Sequence, residues 1–345
     1  MPADLREYFR IDPGDLPGEA IIFGRTEAMR EVHRKIGCVL ESDLPVLLLG
    51  ERGTGKDLVA RFLHLQSSRR DAPFVKLSCS AFPQSLLEAE LLGCEADCGP
   101  SGSGEAKPGL VEMAEGGTLF LDEIGELSLS LQRKLLFLFQ DGRYFRVGGR
   151  EERQARVRII CATNVHLASA VREGSFRDDL FNHMDGMCFR LAALRERMED
   201  IPQLWTFFAE KLARKFGKNT PPLTPSVLQI LEGWNWPGNL CELENCIARV
   251  VVLGDEVAMG TELRRQAAMA KVPGADEEGR HVRVGSFLPQ ALPESSVPQT
   301  LEIDRRDRQK TAGELKRSYR SVLYRLRNAR AKKRPRSRQR FPRPK

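Results

Sequence analysis

Short, continuous apolar runs alternate with amphipathic stretches over the first 190 or so residues. Val46–Leu49 is a continuous apolar run, as expected of a strand buried on both faces, and Phe74–Leu77, Thr118–Leu121 and Val157–Ala162 are mainly apolar runs that also read as strands. Between them, helical spacing of apolar positions predicts helices near Thr26–Cys38, 57–66, Ser85–Leu91 and Ser130–Gln140. Strands alternating with helices predict an α/β fold built on a doubly wound parallel sheet. Residues 194–262 read as helical instead, with amphipathic stretches at Ile201–Phe216 and Pro225–Gly233. Pro237-Gly238-Asn239 breaks that run, and another helix begins at Leu240. Residues 263–300, rich in Pro, Gly and Ser from 270 onward, read as a linker, and 301–332 return to a helical pattern. The predicted division is a leader at 1–20, an α/β domain at 21–193, a helical domain at 194–262, the linker, a helical segment at 301–332 and a basic tail at 333–345. The leader, with Pro13 and Pro17, is too short for a separate sensory domain.

Two of the predicted strands end in chemistry. Val46–Leu49 runs into Gly50-Glu51-Arg52-Gly53-Thr54-Gly55-Lys56, the G-x4-G-K spacing of a phosphate-binding loop. The glycines let the backbone fold tightly so that its N–H groups face an anion, and Lys56 adds a point charge for the β/γ-phosphates. The helix that follows offers its positive N-terminus. Asp57 stands where Ser or Thr is usual, so the spacing alone is also that of a Gly-rich turn. Thr118–Leu121 ends in Asp122 and Glu123. Two acids at the carboxyl end of a parallel strand lie in the crevice where such sheets bind ligands. Asp122 suits Mg²⁺, with Asp57 as a possible second ligand, and Glu123 suits polarisation of an attacking water. Either motif alone has a bland reading; together they point to a nucleoside triphosphate.

Composition narrows the class. A chain of 345 residues with 41% hydrophobic content has room for two or three cored units. No apolar run reaches the length of a membrane span, and the N-terminus is not a signal peptide, so a cytoplasmic, reducing location is expected. The eight cysteines are scattered; Cys38 and Cys161 lie in apolar runs and are expected to be buried. Cys94 and Cys98 form the one close pair, without the second pair that a zinc site needs. From Arg305 to Lys345 there are 18 Lys and Arg against two acids, a balance of +16 that leaves −9 of the net +7 to the first 304 residues. That asymmetry predicts a nucleic-acid contact confined to the C-terminus.

Further segments sharpen the picture: Arg146-Val-Gly-Gly149, Ala162-Thr-Asn164, Phe176-Arg-Asp-Asp-Leu180, Leu194-Arg-Glu-Arg197 and Trp236-Pro-Gly-Asn239. With Gly50–Lys56 and Gly116–Gly125 they make the chain resemble, from about Ile22 to Glu262, the ATPase domain of bacterial enhancer-binding proteins. These are sigma-54-dependent transcription activators of the AAA+ class. The resemblance implies an AAA+ P-loop fold with a small helical lid and a C-terminal all-α helix-turn-helix of the Fis type. It implies ATP and Mg²⁺ as cofactors, a homo-oligomeric ring, usually a hexamer, and remodelling of sigma-54 RNA polymerase. In that frame Gly50–Asp57 hold the phosphates, Asp122 the metal and Glu123 the water. Asn164 senses the γ-phosphate, and Arg177 reaches a neighbour's nucleotide as an arginine finger. In the basic segment Thr311–Arg327, Ala312, Leu315, Val322, Leu323 and Leu326 would form the buried face. Ser321, Tyr324 and Arg325 would lie on or near the recognition helix, with Arg320 just before it. Lys316-Arg317-Ser318 replaces the usual turn, so a single basic amphipathic helix is the other reading.

Departures from the family pattern are as informative. The loop that touches sigma-54 reads Asp97-Cys-Gly-Pro-Ser-Gly102, with Gly99 in place of Phe and Pro100 in place of Thr. His183 stands at the second arginine finger, Cys241 at the lid's sensor Arg, and Ser78 at the polar residue that restrains the catalytic Glu. These changes strike the intersubunit contacts and the output loop, and leave Lys56, Asp122 and Glu123 in place. The main expectation is an ATP-driven activator. The alternative is a nucleotide-gated DNA-binding regulator with weak or no ATPase and no sigma-54 contact. A general AAA+ remodeller is a third class, opposed by the basic C-terminus and the Trp236–Asn239 segment.

Overall fold

The computed structural model describes residues 9–96 and 106–254, all within one compact unit. In chain order the elements are α1 (Glu19–Phe23), α2 (Glu27–Gly37), β1 (Val46–Leu49), α3 (Lys56–Leu65), β2 (Phe74–Ser78), α4 (Gln84–Leu92), β3 (Gly93–Cys94), β4 (Lys107–Pro108), α5 (Leu110–Met113) and β5 (Thr118–Asp122). They continue with α6 (Leu129–Asp141), β6 (Arg143–Phe145), β7 (Glu152–Gln154), β8 (Arg158–Thr163), α7 (Leu167–Arg172), α8 (Asp178–Asp185), β9 (Cys188–Arg190), α9 (Ile201–Phe216), α10 (Pro225–Glu232) and α11 (Asn239–Leu253).

Five strands form a parallel sheet in the order β2-β5-β8-β1-β9. β1 lies between β8 and β9, so the chain leaving it enters the crevice where strand order reverses. Register places Ser78 beside Asp122, and Leu49 beside Thr163, so the carboxyl ends of the strands gather at one edge of the sheet. All six residues of β8 are buried, Arg158 included. Its guanidinium is tolerated there because it donates to the carbonyls of Val39 (2.6 Å) and Leu40 (2.7 Å). The four strands read from apolar runs are present within a residue or so of their expected ends. The fifth, β9, is three residues long and is preceded by polar sequence, too short for a period to register. The pairs β3–β4 and β6–β7, of two and three residues a strand, are likewise too short for a period to register.

Two apolar clusters among the described residues bear on the site. One gathers residues from Ile22 to Ala192 around the sheet; the other gathers Leu194 to Val251, with Trp205 and Trp236 at its centre. Helix α1 serves both, because Ile22 and Phe23 pack into the first and Ile21 against the second. Cys161 is buried as expected, whereas Cys38 is exposed: it follows the last turn of α2, and its Sγ bonds the Arg34 carbonyl instead of entering the core. Cys94 is disulfide-bonded. Cys98, the 97–102 loop, the linker, the tail and the segment carrying Arg320, Ser321, Tyr324 and Arg325 lie outside the described residues. Among the described residues no helix is long and apolar enough to cross a membrane.

Candidate nucleotide-binding site

The loop after β1 turns because Gly53 and Gly55 take φ of 80° and 101°, values that side-chain-bearing residues rarely adopt. Gly53 also has no room for a side chain, since a Cβ there would come within 2.4 Å of the Gly238 carbonyl. Thr54 is buried, and its hydroxyl donates to the Glu51 carbonyl at 2.8 Å. Lys56, the first residue of α3, lies back over the loop and donates to the carbonyls of Gly50 (2.6 Å) and Glu51 (2.9 Å). Burial pushes its pKa down, and the nearby Asp122 and Glu123 carboxylates push back. The ammonium, held by two loop carbonyls, is the positive charge this loop can offer an anion.

The helical domain grips this loop from the other side. Arg195 makes a two-point contact with Glu51, at 2.5 and 2.8 Å. Asn239, fully buried at the start of α11, donates to the Arg52 carbonyl at 3.0 Å and to Glu51 at 3.2 Å, and accepts from the Leu194 N–H at 2.7 Å. The Leu240 N–H donates to the Gly53 carbonyl at 3.0 Å, and the buried Arg197 donates to the Thr54 carbonyl at 3.0 Å. Leu194-Arg-Glu-Arg197 and Trp236-Pro-Gly-Asn239 were visible in the sequence as segments. Their meeting on Glu51 and Gly53 was not.

The acids end β5 beside the end of β2. Among the described residues, the non-glycine residues with positive φ are Glu123 and Asn239, both at this site, and Trp236 in the lid core. Ser80 donates a hydrogen bond to the Glu123 carboxylate, while Ser78 lies 3.3 Å from Ser80 and reaches Glu123 only through it. The hydroxyl touching the acid is therefore two residues further along than the sequence pattern indicated. Asp122 offers a carboxylate of the hard-oxygen kind that Mg²⁺ takes together with phosphate oxygens. Asp57 does not stand free beside it: Lys76 holds one of its oxygens at 2.6 Å and Arg61 the other at 2.9 Å.

Asn164 follows the last residue of β8 and is exposed; the Thr163 carbonyl just before it accepts from the Gly50 N–H at 3.2 Å. Arg177 is not gathered with these groups. It precedes α8 and lines a separate hollow with Leu129, Gly174, Phe176, Asp178 and Asp179, where Asp179 pairs with it at 2.5 and 2.9 Å. His183 turns inward, with its Nε2 3.1 Å from the Phe139 carbonyl. Cys241 is exposed near the start of α11, within electrostatic reach of Lys56.

Comparison with known proteins agrees with this arrangement. Residues 22–190 match the family model described as the Sigma-54 interaction domain, and 195–278 match the AAA+ ATPase lid domain. The Nif-specific regulatory protein of Azotobacter vinelandii is 42% identical over 255 residues, 74% of this chain and 48% of its own length. The crystal structure of NtrX from Brucella abortus superposes with a TM-score of 0.62 at 32% identity, covering 88% of this chain and 68% of that one. The chain belongs to the bacterial enhancer-binding proteins. NtrX crystallised in complex with ATP is 34% identical with the same TM-score of 0.62, over 73% of this chain and 55% of that one. The enhancer-binding protein described here spans about half the length of the curated relatives it matches. Its Arg146-Val-Gly-Gly149 segment also acquires a place in the fold. Arg146 donates to both oxygens of Glu112 (2.8 and 2.7 Å) and reaches Glu95, tying β3 and α5 to the connection between β6 and β7.

Proposed function

We propose that this chain is the ATP-hydrolysing motor of a sigma-54-dependent transcription regulator, working in the cytoplasm as a homo-oligomeric ring, a hexamer by family habit. Gly50–Asp57 would cradle the phosphates, and Lys56 would leave its carbonyl partners for the β/γ-phosphates. Asp122, with phosphate oxygens, would hold Mg²⁺, which neutralises developing phosphate charge when bound. With both its oxygens engaged, Asp57 would serve the metal only indirectly. Glu123 would orient and polarise the attacking water. Asn164 would read the γ-phosphate, and Arg177, released from Asp179, would stabilise transition-state charge at a neighbouring copy's nucleotide. Residues 21–193 would form the nucleotide-binding domain and 194–262 the lid. The C-terminal 301–332, through Arg320, Ser321, Tyr324 and Arg325, would bind DNA.

One observation carries this reading. The buried Lys56 faces Asp122 and Glu123, while Arg195 and Asn239 of the helical domain clasp the same loop. Occupancy of the loop is thus mechanically joined to the lid. Steady-state ATPase activity of the chain, beside Lys56→Ala and Glu123→Gln, tests it. Turnover abolished by both substitutions supports a motor, and nucleotide binding without turnover supports the gated DNA-binding regulator. A transcription assay with sigma-54 polymerase then tests the output.

A further inference from the structure

Lys76 of β2 reaches the acids of the site. In the parallel register it sits opposite Phe120, as Ser78 sits opposite Asp122, so strand alternation puts all four on one face of the sheet. Its stem passes near Phe120, with Nζ 5.4 Å from the ring centroid. The ammonium lies 2.6 Å from Asp57 Oδ1 and 3.6 Å from Asp122 Oδ2. Asp57 is itself fixed by Arg61 at 2.9 Å. Helix α3, β2 and β5 thereby converge on one ammonium placed between the carboxylate after the phosphate-loop Lys and the carboxylate that suits a divalent ion.

We propose that Lys76 acts as a tethered cation that competes with Mg²⁺ for Asp122 and so sets how much free metal the site requires. The proposal rests on the reading of this site as one that binds ATP with Mg²⁺. Lys76 and Arg61 together bring two positive charges to the single negative charge of Asp57, so the cluster facing Asp122 carries a surplus positive charge. A divalent ion at Asp122 meets that charge at short range, where salt screens it little. Lys76 is a positioning residue here: it acts on the metal through the carboxylate they share, and touches no reacting atom. The ordinary alternative is an ion pair that only fastens α3 to β2. That alternative predicts a change in stability and none in metal requirement.

The test is equilibrium binding of a fluorescent, non-hydrolysable ATP analogue to the full chain, titrated with free Mg²⁺ and repeated in EDTA. Wild type is compared with Lys76→Met and Lys76→Arg, with Lys76→Gln as the second neutral variant should Met aggregate. The expected result is an Mg²⁺ midpoint at least about threefold lower for the neutral variants and near wild type for Lys76→Arg, with little change in EDTA. Because the charges meet at short range, the difference should persist as ionic strength is raised. An unchanged midpoint in the neutral variants overturns the proposal, and so does a large loss of affinity in EDTA, which would mean that Lys76 grips phosphate. Both results leave standing the reading that the wild-type chain binds nucleotide. A wild-type chain that binds no analogue with or without Mg²⁺ overturns the nucleotide reading itself.

Discussion

Arg195 grips Glu51 through both terminal nitrogens of its guanidinium, fastening the lid to the phosphate loop. The contact holds the Glu51 carboxyl down at about 2. Its contribution to stability is therefore full above the ordinary carboxylate value of 4.5 and is lost as pH falls from there through about 2. Both side chains are partly exposed, so the pair alone is worth little, about 1 kcal/mol or less. Asn239 is different, because it is buried and its amide serves three partners. Asn239→Ala should cost about 2–3 kcal/mol, since buried backbone groups lose their partner and Ala tolerates the left-handed φ poorly. Arg195→Ala should lower affinity for an ATP analogue by about fivefold or less, with a much smaller loss of stability. Thermal melts and analogue titrations on both variants check the difference.

Ser80 holds the Glu123 carboxylate, and Ser78 touches only Ser80. Ser80→Ala should free the acid and raise basal ATP turnover by up to about tenfold, the worth of one hydrogen bond to a charged group, while leaving nucleotide affinity alone. Ser78→Ala should do less. Turnover measured on both variants at saturating ATP decides the order, and equal effects would show that Ser78 reaches the acid by another route.

Arg177 and His183 should separate in a mixing experiment. Arg177 lies away from its own chain's phosphate loop and is parked on Asp179. Arg177→Ala should cut turnover by about a thousandfold in the assembled protein without weakening nucleotide binding. Mixed with Lys56→Ala subunits it should regain partial activity. His183→Ala should leave turnover nearly unchanged and cost about 1 kcal/mol of stability, because its ring serves the Phe139 carbonyl.

His64 makes the fold acid-sensitive. It is fully buried, with Nδ1 2.9 Å from the Thr118 hydroxyl, and burial pushes its imidazole down to about 4. The unfolded chain binds that proton at the ordinary value of 6.5, so stability is full above it and declines as pH falls toward about 4. The loss amounts to about 3 kcal/mol. Urea unfolding across this window should show the decline, and His64→Gln should flatten it.

Much of this was written along the chain. Apolar runs reveal β1, β5 and β8 because each is buried on both faces, and β2 because Phe74, Val75 and Leu77 are buried even though Lys76 between them is exposed. Gly50–Lys56 and Asp122-Glu123 are legible because their chemistry is local: neighbouring backbone N–H groups and adjacent carboxylates depend on spacing, and spacing is a property of sequence. Contacts between distant residues are not. Glu51 meets Arg195 and Asn239 across 144 and 188 positions, Ser80 meets Glu123 across 43, and Lys76 is brought to Asp57 and Asp122 by the register of β2 on β5. The same holds for the inward turn of His183, whose partner is a backbone carbonyl that carries no residue-type signal. The sequence by itself determined four strands of the parallel sheet, the loop and the charges of the site. Only the tertiary structure decided which of those charges are already spoken for, since pairing energy depends on distance in space, which the order of residues along a chain does not encode.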